Sequence, residues 1–327
     1  MLSDAGSAHT IRWVRSLAQR GHEIRIFTLT PVHCDAFSDL KNVSVAWQGI
    51  PRDLAREREG SIGKLMYLRA LMPLRAEIRR WRPDLVHAHY ASSYGLLGML
   101  AGARPRVVSV WGMDVYSFPR RTALHRRLMM AVLASADAVF STSRTMREQV
   151  WRLIDRPIDV TPFGVDTERF RPGRTTSRHA DDLTVGTVKA LEPKYGIEFL
   201  LRAFAIALRS GAQPDRYRLV IVGGGSLLAE LQRLAIDLGV ANRVHFAGPC
   251  NYDVAHEWHQ SFDIGVYPSI DSSESFGVAA VESQACGVPV IVSDVGGLPE
   301  IVVDGRTGLV VPAGDAEALA AAICRLL

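Results

Sequence analysis

A chain of 327 residues is long for a single core and suits two domains of about 150 residues each. Apolar residues make up 48% and charged residues 22%, the composition of a folded globular protein, which excludes a disordered chain. The formal charge of +4 hides an asymmetry, because residues 1–171 carry a balance of +10 and residues 172–327 a balance of −6.

A basic half joined to an acidic half predicts two domains with different partners. An anionic membrane surface suits the first half, and Arg-rich solvated helices explain the same excess. No nucleic-acid partner is expected. Cys34, Cys250, Cys286 and Cys324 show no CxxC spacing, so reduced thiols are expected rather than a disulfide frame or a zinc site. No apolar run reaches the roughly 18–20 residues of a membrane span, and the N-terminus lacks a signal-peptide pattern. The expected location is cytoplasmic, with peripheral attachment to the inner face of the membrane left open.

The chain begins with Ser3-Asp4-Ala5-Gly6, which reads as a turn into a helix over 9–20. Apolar strand-like runs follow: "EIRIFTL", "VSVAW", "DLVHAH", "RVVSVWG", "AVFSTS" and "IDVTPFG". Helical periodicity at 62–81 and 122–135 separates several of them. The polar stretch "FRPGRTTSRHADD" then breaks the pattern. It predicts a first domain over 1–171, a linker over 172–182 and a second domain over 183–327. In the second domain the strands are "DLTVGTV", "YRLVIVG", "RVHFAG", "DIGVYPS", "VPVIVSD" and "TGLVVP", with helices at 196–209 and 226–238. Such alternation predicts α/β domains with parallel, doubly wound sheets buried on both faces. Both ends read as interior to a fold. Almost nothing precedes the first turn, and the chain stops inside "DAEALAAAICRLL", so truncation of the first strand and of the C-terminal helices is expected.

The densest chemical signal is "SESFGVAAVESQACGVPVIVSDVGG". A loop follows the strand "DIGVYPS", and a helix is predicted over 276–286, ended by Gly287. Glu274 then stands at the mouth of the helix and Glu282 about two turns inside, roughly 12 Å apart along the axis. That span matches the reach from a sugar across a diphosphate to a ribose. First-turn N–H groups between the carboxylates can hold phosphate oxygens, and Gly277 admits close approach. Two solvated helix charges would show the same spacing. Glu282, however, lies in an apolar run where an unpaired carboxylate is costly.

With "VGTVKALEPKYGIEFLLRAF", "LVIVGGGSLLAEL", "RVHFAG" and the stretch through "VVPAGD", the second half resembles the family-4 retaining glycosyltransferases. The first half is similar more loosely, through "RWVRSLAQRGHEI", "RPDLVHAHY" and "FGVDTERFRP". The resemblance implies a GT-B fold: two Rossmann-like doubly wound parallel-sheet domains facing across a cleft. It implies a nucleotide-diphospho-sugar as donor, a glycan or lipid-linked acceptor, and no cofactor or metal beyond that co-substrate.

Residue by residue, the resemblance places Lys189 and Lys194 on the diphosphate. Lys189 stands where many relatives have Arg, which keeps the charge and loses the bidentate fork. It places Glu274 on the sugar, Ser275 and the amides of Phe276, Gly277 and Val278 on phosphate and sugar, and Glu282 on the ribose. Gly6 matches a glycine loop near the reacting centre. In "VSVWGMD", Trp111 stands where many relatives carry a sugar-contacting His, and can stack on a sugar face instead. Asp114 is a candidate for polar contact with sugar or acceptor. His89 either faces the acceptor or is structural, and a zinc site with His87 lacks a third ligand.

The expected activity is retaining transfer of a hexose in cell-surface polysaccharide, lipopolysaccharide or glycolipid synthesis. A truncated, non-catalytic nucleotide-sugar-binding fragment is the alternative. A nicotinamide oxidoreductase is disfavoured, since "VGGGSLLAE" lacks the last glycine of a dinucleotide fingerprint.

Overall fold

The computed structural model describes residues 1–31, 36–50, 62–173 and 182–327. The chain divides into two compact units, Met1–Gly164 and Val165–Leu327. The division precedes the polar stretch expected to part the domains, and residues 174–181 of that stretch lie outside the described residues. Phe170 is fully buried in a cluster with Val222, Phe262 and Val288, which ties this segment to the second unit.

In the first unit, α1 (Ala8–Gln19) is followed by β1 (Ile24–Thr28) and β2 (Val43–Trp47), paired in parallel. The stretch expected to form one helix over 62–81 is a 3-10 helix (Ile62–Ala70) running into α2 (Leu71–Trp81). Pro73 thereby falls in the first turn of α2, the part of a helix that tolerates proline best. Next come β3 (Val86–His89), α3 (Leu96–Leu100), β4 (Arg106–Ser109), α4 (Met113–Tyr116), α5 (Ala123–Ala134), β5 (Ala138–Ser141), α6 (Arg144–Trp151) and β6 (Asp159–Val160). The strands β3-β4-β5-β6 form one parallel sheet in that order. Leu2 bridges to Phe27 of β1 on one side and to Ala88 of β3 on the other. Ser3 and Asp4 are therefore delivered to the edge where the strand order reverses, a position that favours ligand sites.

The second unit contains β7 (Leu183–Val188), α7 (Ile197–Ser210), β8 (Tyr217–Val222), α8 (Leu228–Asp237), β9 (Val244–Gly248), α9 (Ala255–Gln260), β10 (Ile264–Tyr267), α10 (Val278–Ala285), β11 (Val290–Ser293), β12 (Gly308–Val311) and α11 (Ala316–Leu326). Its six strands run in the order β12-β11-β10-β7-β8-β9, all parallel. Apolar residues fill the space between sheet and helices, with Val185, Leu219, Ile221, Val266 and Ile291 of the strands against Leu200, Phe204 and Ile323. The strand order reverses between β7 and β10. The loops leaving those two strands hold the acidic and basic residues singled out above.

Candidate functional site

Lys189 leaves the end of β7 with its N–H bonded to the carbonyl of Val222, 2.9 Å away. A 3-10 turn, Pro193–Tyr195, then presents Lys194. The Tyr195 ring attracts both ammonium groups, with Lys189 Nζ 4.4 Å and Lys194 Nζ 4.7 Å from its centroid. From the neighbouring β10, the loop Pro268–Ser275 brings Glu274 back to Lys189. Their Nζ–Oε2 distance is 2.8 Å, and the side chains are only 13% and 11% exposed. Ser269 Oγ donates to the same carboxylate oxygen at 3.3 Å. Burial pushes the Glu274 carboxyl up, but the Lys189 charge and hydrogen bond outweigh it, and the group is held below its ordinary value.

The helix after Glu274 starts later than its sequence implies. Gly277 adopts φ +81°, a left-handed conformation, and α10 begins at Val278 instead of at Phe276. A Cβ at position 277 would also lie 2.4 Å from Leu298. Glu282 is consequently just over one turn into the helix, not two, and the 12 Å axial span of a continuous helix does not apply. No side chain caps the first turn of α10. That leaves the region of Gly277 and Val278 with the backbone donors and positive dipole end that suit an anion. Phe276 is 8% exposed and anchors the approach to the helix. The backbone of Glu274 is fixed from the other side, as its carbonyl accepts from Gly297 N–H at 2.9 Å. Ser275 sits between these two fixed residues.

Glu282 is 6% exposed, with the imidazole Nε2 of His259 at 3.8 Å from its Oε2. His259 is itself fully buried. Its Nδ1 lies 2.8 Å from Ser283 Oγ and 3.3 Å from Tyr267 Oη, and those two hydroxyls are 2.7 Å apart. Burial, reinforced by the Glu282 charge, pushes the Cys286 thiol up to about 11.

The first unit carries a separate cavity of about 280 Å³ at the carboxyl ends of its strands. Ser3, Asp4, Thr30, His89, Tyr94 and Trp111 are among its lining residues. Asp4 accepts from Thr30 Oγ1 at 2.6 Å and from the N–H of Gly6 at 2.9 Å. Gly6 is thus part of the turn that shapes the cavity rim. His89 is fully buried, with Nδ1 3.0 Å from Ser3 Oγ and Nε2 without a hydrogen-bond partner among the described residues. Burial holds His89 well below the ordinary histidine value, and it takes His87 down to about 4. Both rings therefore stay neutral at physiological pH. Trp111 leans on His89 with ring centroids 4.6 Å apart, so indole and imidazole form one aromatic wall.

Asp114 does not reach this wall as a free carboxylate. It is fully buried, and its oxygens accept from the N–H groups of Ala91 at 2.8 Å, Gly112 at 2.8 Å and Trp111 at 3.2 Å. Through these bonds it ties the turn after β4 to the turn after β3. Among the described residues, no three His, Cys, Asp or Glu groups stand together as a metal site.

The structure places Lys189 against Glu274 and both Lys189 and Lys194 at the ring of Tyr195, and adds Tyr195, Ser269 and His259 as neighbours that the sequence did not single out. Ser269 ends the strand run "DIGVYPS" and Tyr195 lies in "EPKYGIEF", so both stood inside family-like stretches, whereas His259 carries no motif signal.

Two units with parallel doubly wound sheets, each with its polar cluster at a reversal of strand order, define a GT-B protein. Solved structures agree on the fold. Sucrose-phosphate synthase from Thermosynechococcus elongatus superposes with a TM-score of 0.79 at 24% identity, over 99% of this chain and 88% of that one. Anabaena Alr3699/HepE, solved in complex with UDP and glucose, gives 0.75 at 21% identity, over 99% and 88%. Residues 174–327 match the family described as Glycosyl transferases group 1, and residues 1–143 match Glycosyl transferase 4-like. The D-inositol 3-phosphate glycosyltransferase of Nocardia farcinica is 32% identical, over 99% of this chain and 77% of that protein. Its counterpart in Acidothermus cellulolyticus is 38% identical over 78% of this chain, and the match spans 62% of that relative's length. The chain belongs to the group 1 glycosyltransferases.

Proposed function

We propose that the chain is a retaining, metal-independent hexosyltransferase that takes its sugar from a nucleotide-diphospho-sugar. The observation that carries this reading is the buried Lys189–Glu274 pair, set beside the uncapped start of α10 where the strand order of the second unit reverses. Lys189, Lys194 and the first turn of α10 face the diphosphate and stabilise the charge that builds on it as the glycosidic bond breaks. Glu274 accepts hydrogen bonds from sugar hydroxyls, and Glu282 accepts from the ribose diol. UDP and glucose in the Anabaena structure support a donor of this chemistry.

The acceptor offers a hydroxyl-rich ring, such as a glycan end, a glycolipid head or a cyclitol, to the cavity walled by Asp4, Thr30, His89 and Trp111. In the transfer, a bond forms from the acceptor oxygen to the anomeric carbon and the bond from that carbon to the diphosphate oxygen breaks. The acceptor's proton passes to the departing phosphate, which needs no protein nucleophile. Exposed Leu68 and Met72, among the exposed Arg69, Arg79 and Arg80, support peripheral contact with an anionic membrane bearing a lipid-linked acceptor.

The test is a thermal-shift screen against UDP-, GDP-, ADP- and dTDP-sugars, followed by hydrolysis and transfer assays on each hit. Glu274→Ala should lower turnover far more than it lowers nucleotide affinity. Equal losses in both would assign Glu274 a structural role, and binding without turnover in the parent would overturn the transferase reading.

A further inference from the structure

We propose that His259 is a positioning residue that orients Glu282 for the ribose, an inference resting on the ribose reading of Glu282. The imidazole is fully buried and walled by Phe170 and Phe262, with ring centroids 5.8 Å and 6.0 Å away. Its Nδ1 edge meets two hydroxyls, Ser283 Oγ and Tyr267 Oη, which also bond each other. With one hydroxyl donating to the other and the second donating onward, Nδ1 becomes the acceptor. That order leaves the ring proton on Nε2, the tautomer that the Glu282 charge beside Nε2 favours.

Among the described residues Nε2 has no hydrogen-bond partner, and it stands 3.8 Å from Glu282 Oε2. At that separation the contact is not a hydrogen bond but an N–H dipole aimed at a carboxylate in a buried setting. The opposite tautomer would turn a lone pair toward the same negative charge. Ser283 follows Glu282 directly on α10, so one turn of helix both locks the tautomer and carries the carboxylate that it faces. The buried imidazole thereby presents an N–H dipole to Oε2 of Glu282 and biases how the carboxylate is turned when a diol approaches.

A double-mutant cycle separates this role from simple packing. UDP, GDP, ADP and dTDP are each titrated calorimetrically into the parent, Glu282→Gln, His259→Leu, His259→Gln and the double variant Glu282→Gln/His259→Leu. His259→Leu should weaken the nucleotide that binds by about tenfold, and His259→Gln, which restores an N–H at the Nε2 end, should recover most of it. In the Glu282→Gln background, His259→Leu should cost less than about twofold more, because the group it acts through is gone. Additive losses, or no recovery by glutamine, would overturn the proposal and leave His259 as packing. An unchanged affinity in Glu282→Gln would overturn the ribose reading itself, and binding of none of the four nucleotides would overturn the donor reading. If His259→Leu fails to fold, Ser283→Ala, which removes a hydroxyl at Nδ1, carries the same cycle with a smaller expected loss.

Discussion

At the scale of residues, Lys189 and Glu274 are each defined by the other. Burial opposes ionisation of Glu274, and the ammonium 2.8 Å away is the strongest influence that favours it. Because its folded value lies below the ordinary 4.5, the folded chain binds fewer protons there than the unfolded chain. The stabilisation is therefore present above about pH 4.5 and is lost as pH falls through the lower folded value. Lys189→Met should reverse the trend, since burial is the largest single influence on the Glu274 carboxyl and only the weaker pulls of Lys194 and Ser269 then oppose it. The variant should lose about 2–3 kcal/mol at neutral pH, somewhat less than a fully buried pair because both side chains keep some solvent contact. Its urea midpoint should fall between pH 4 and 7 relative to the parent's, and a matching pH trend in the two proteins would refute the assignment.

At the scale of elements, the strands were legible because β-branched runs between Gly, Pro and polar turns leave few alternatives. Helix starts were not. Phe276 is apolar and continues the helical pattern, and no periodicity reveals that Gly277 takes a positive φ. The stretch 62–81 likewise reads as one helix, although it tightens to 3-10 geometry up to Ala70. Side-chain partnerships across long sequence separations were equally hidden. Lys189 and Glu274 came together through the resemblance. The link from His259 to Ser283 and Glu282 depends on α9 and α10 packing side by side. The start of α10 gives the prediction proper to this scale. Gly277→Ala must hold an L-residue at φ +81° with its Cβ pressed on Leu298. A loss of about 2–3 kcal/mol in unfolding free energy is expected, with weaker nucleotide binding alongside, as measured by denaturation and calorimetry. Normal stability and affinity would show that the helix start tolerates relocation.

At the scale of the whole molecule, the charge asymmetry is the feature the sequence displayed most openly. The excess of cations belongs to residues 1–171, and among the described residues no helix is long and apolar enough to cross a membrane. Surface attachment, if driven by charge, must then weaken with salt. The chain should co-sediment with phosphatidylglycerol vesicles at low ionic strength and release at about 0.5 M salt, where the Debye length falls below about 5 Å. Arg69→Glu/Arg79→Glu should reduce the bound fraction severalfold, and binding indifferent to salt and to these changes would rule out an electrostatic anchor.

A further consequence lies in the turn after β8. A Cβ on Gly223 would come within 1.8 Å of the carbonyl oxygen of Lys189, so the two turns interlock backbone to backbone. A side chain at position 223 would therefore have to push the Lys189 backbone aside. A saturation screen for lost activity should flag position 223 as firmly as any ligand-facing side chain, and efforts to retune the donor by remodelling one loop will have to redesign its neighbour in the same step.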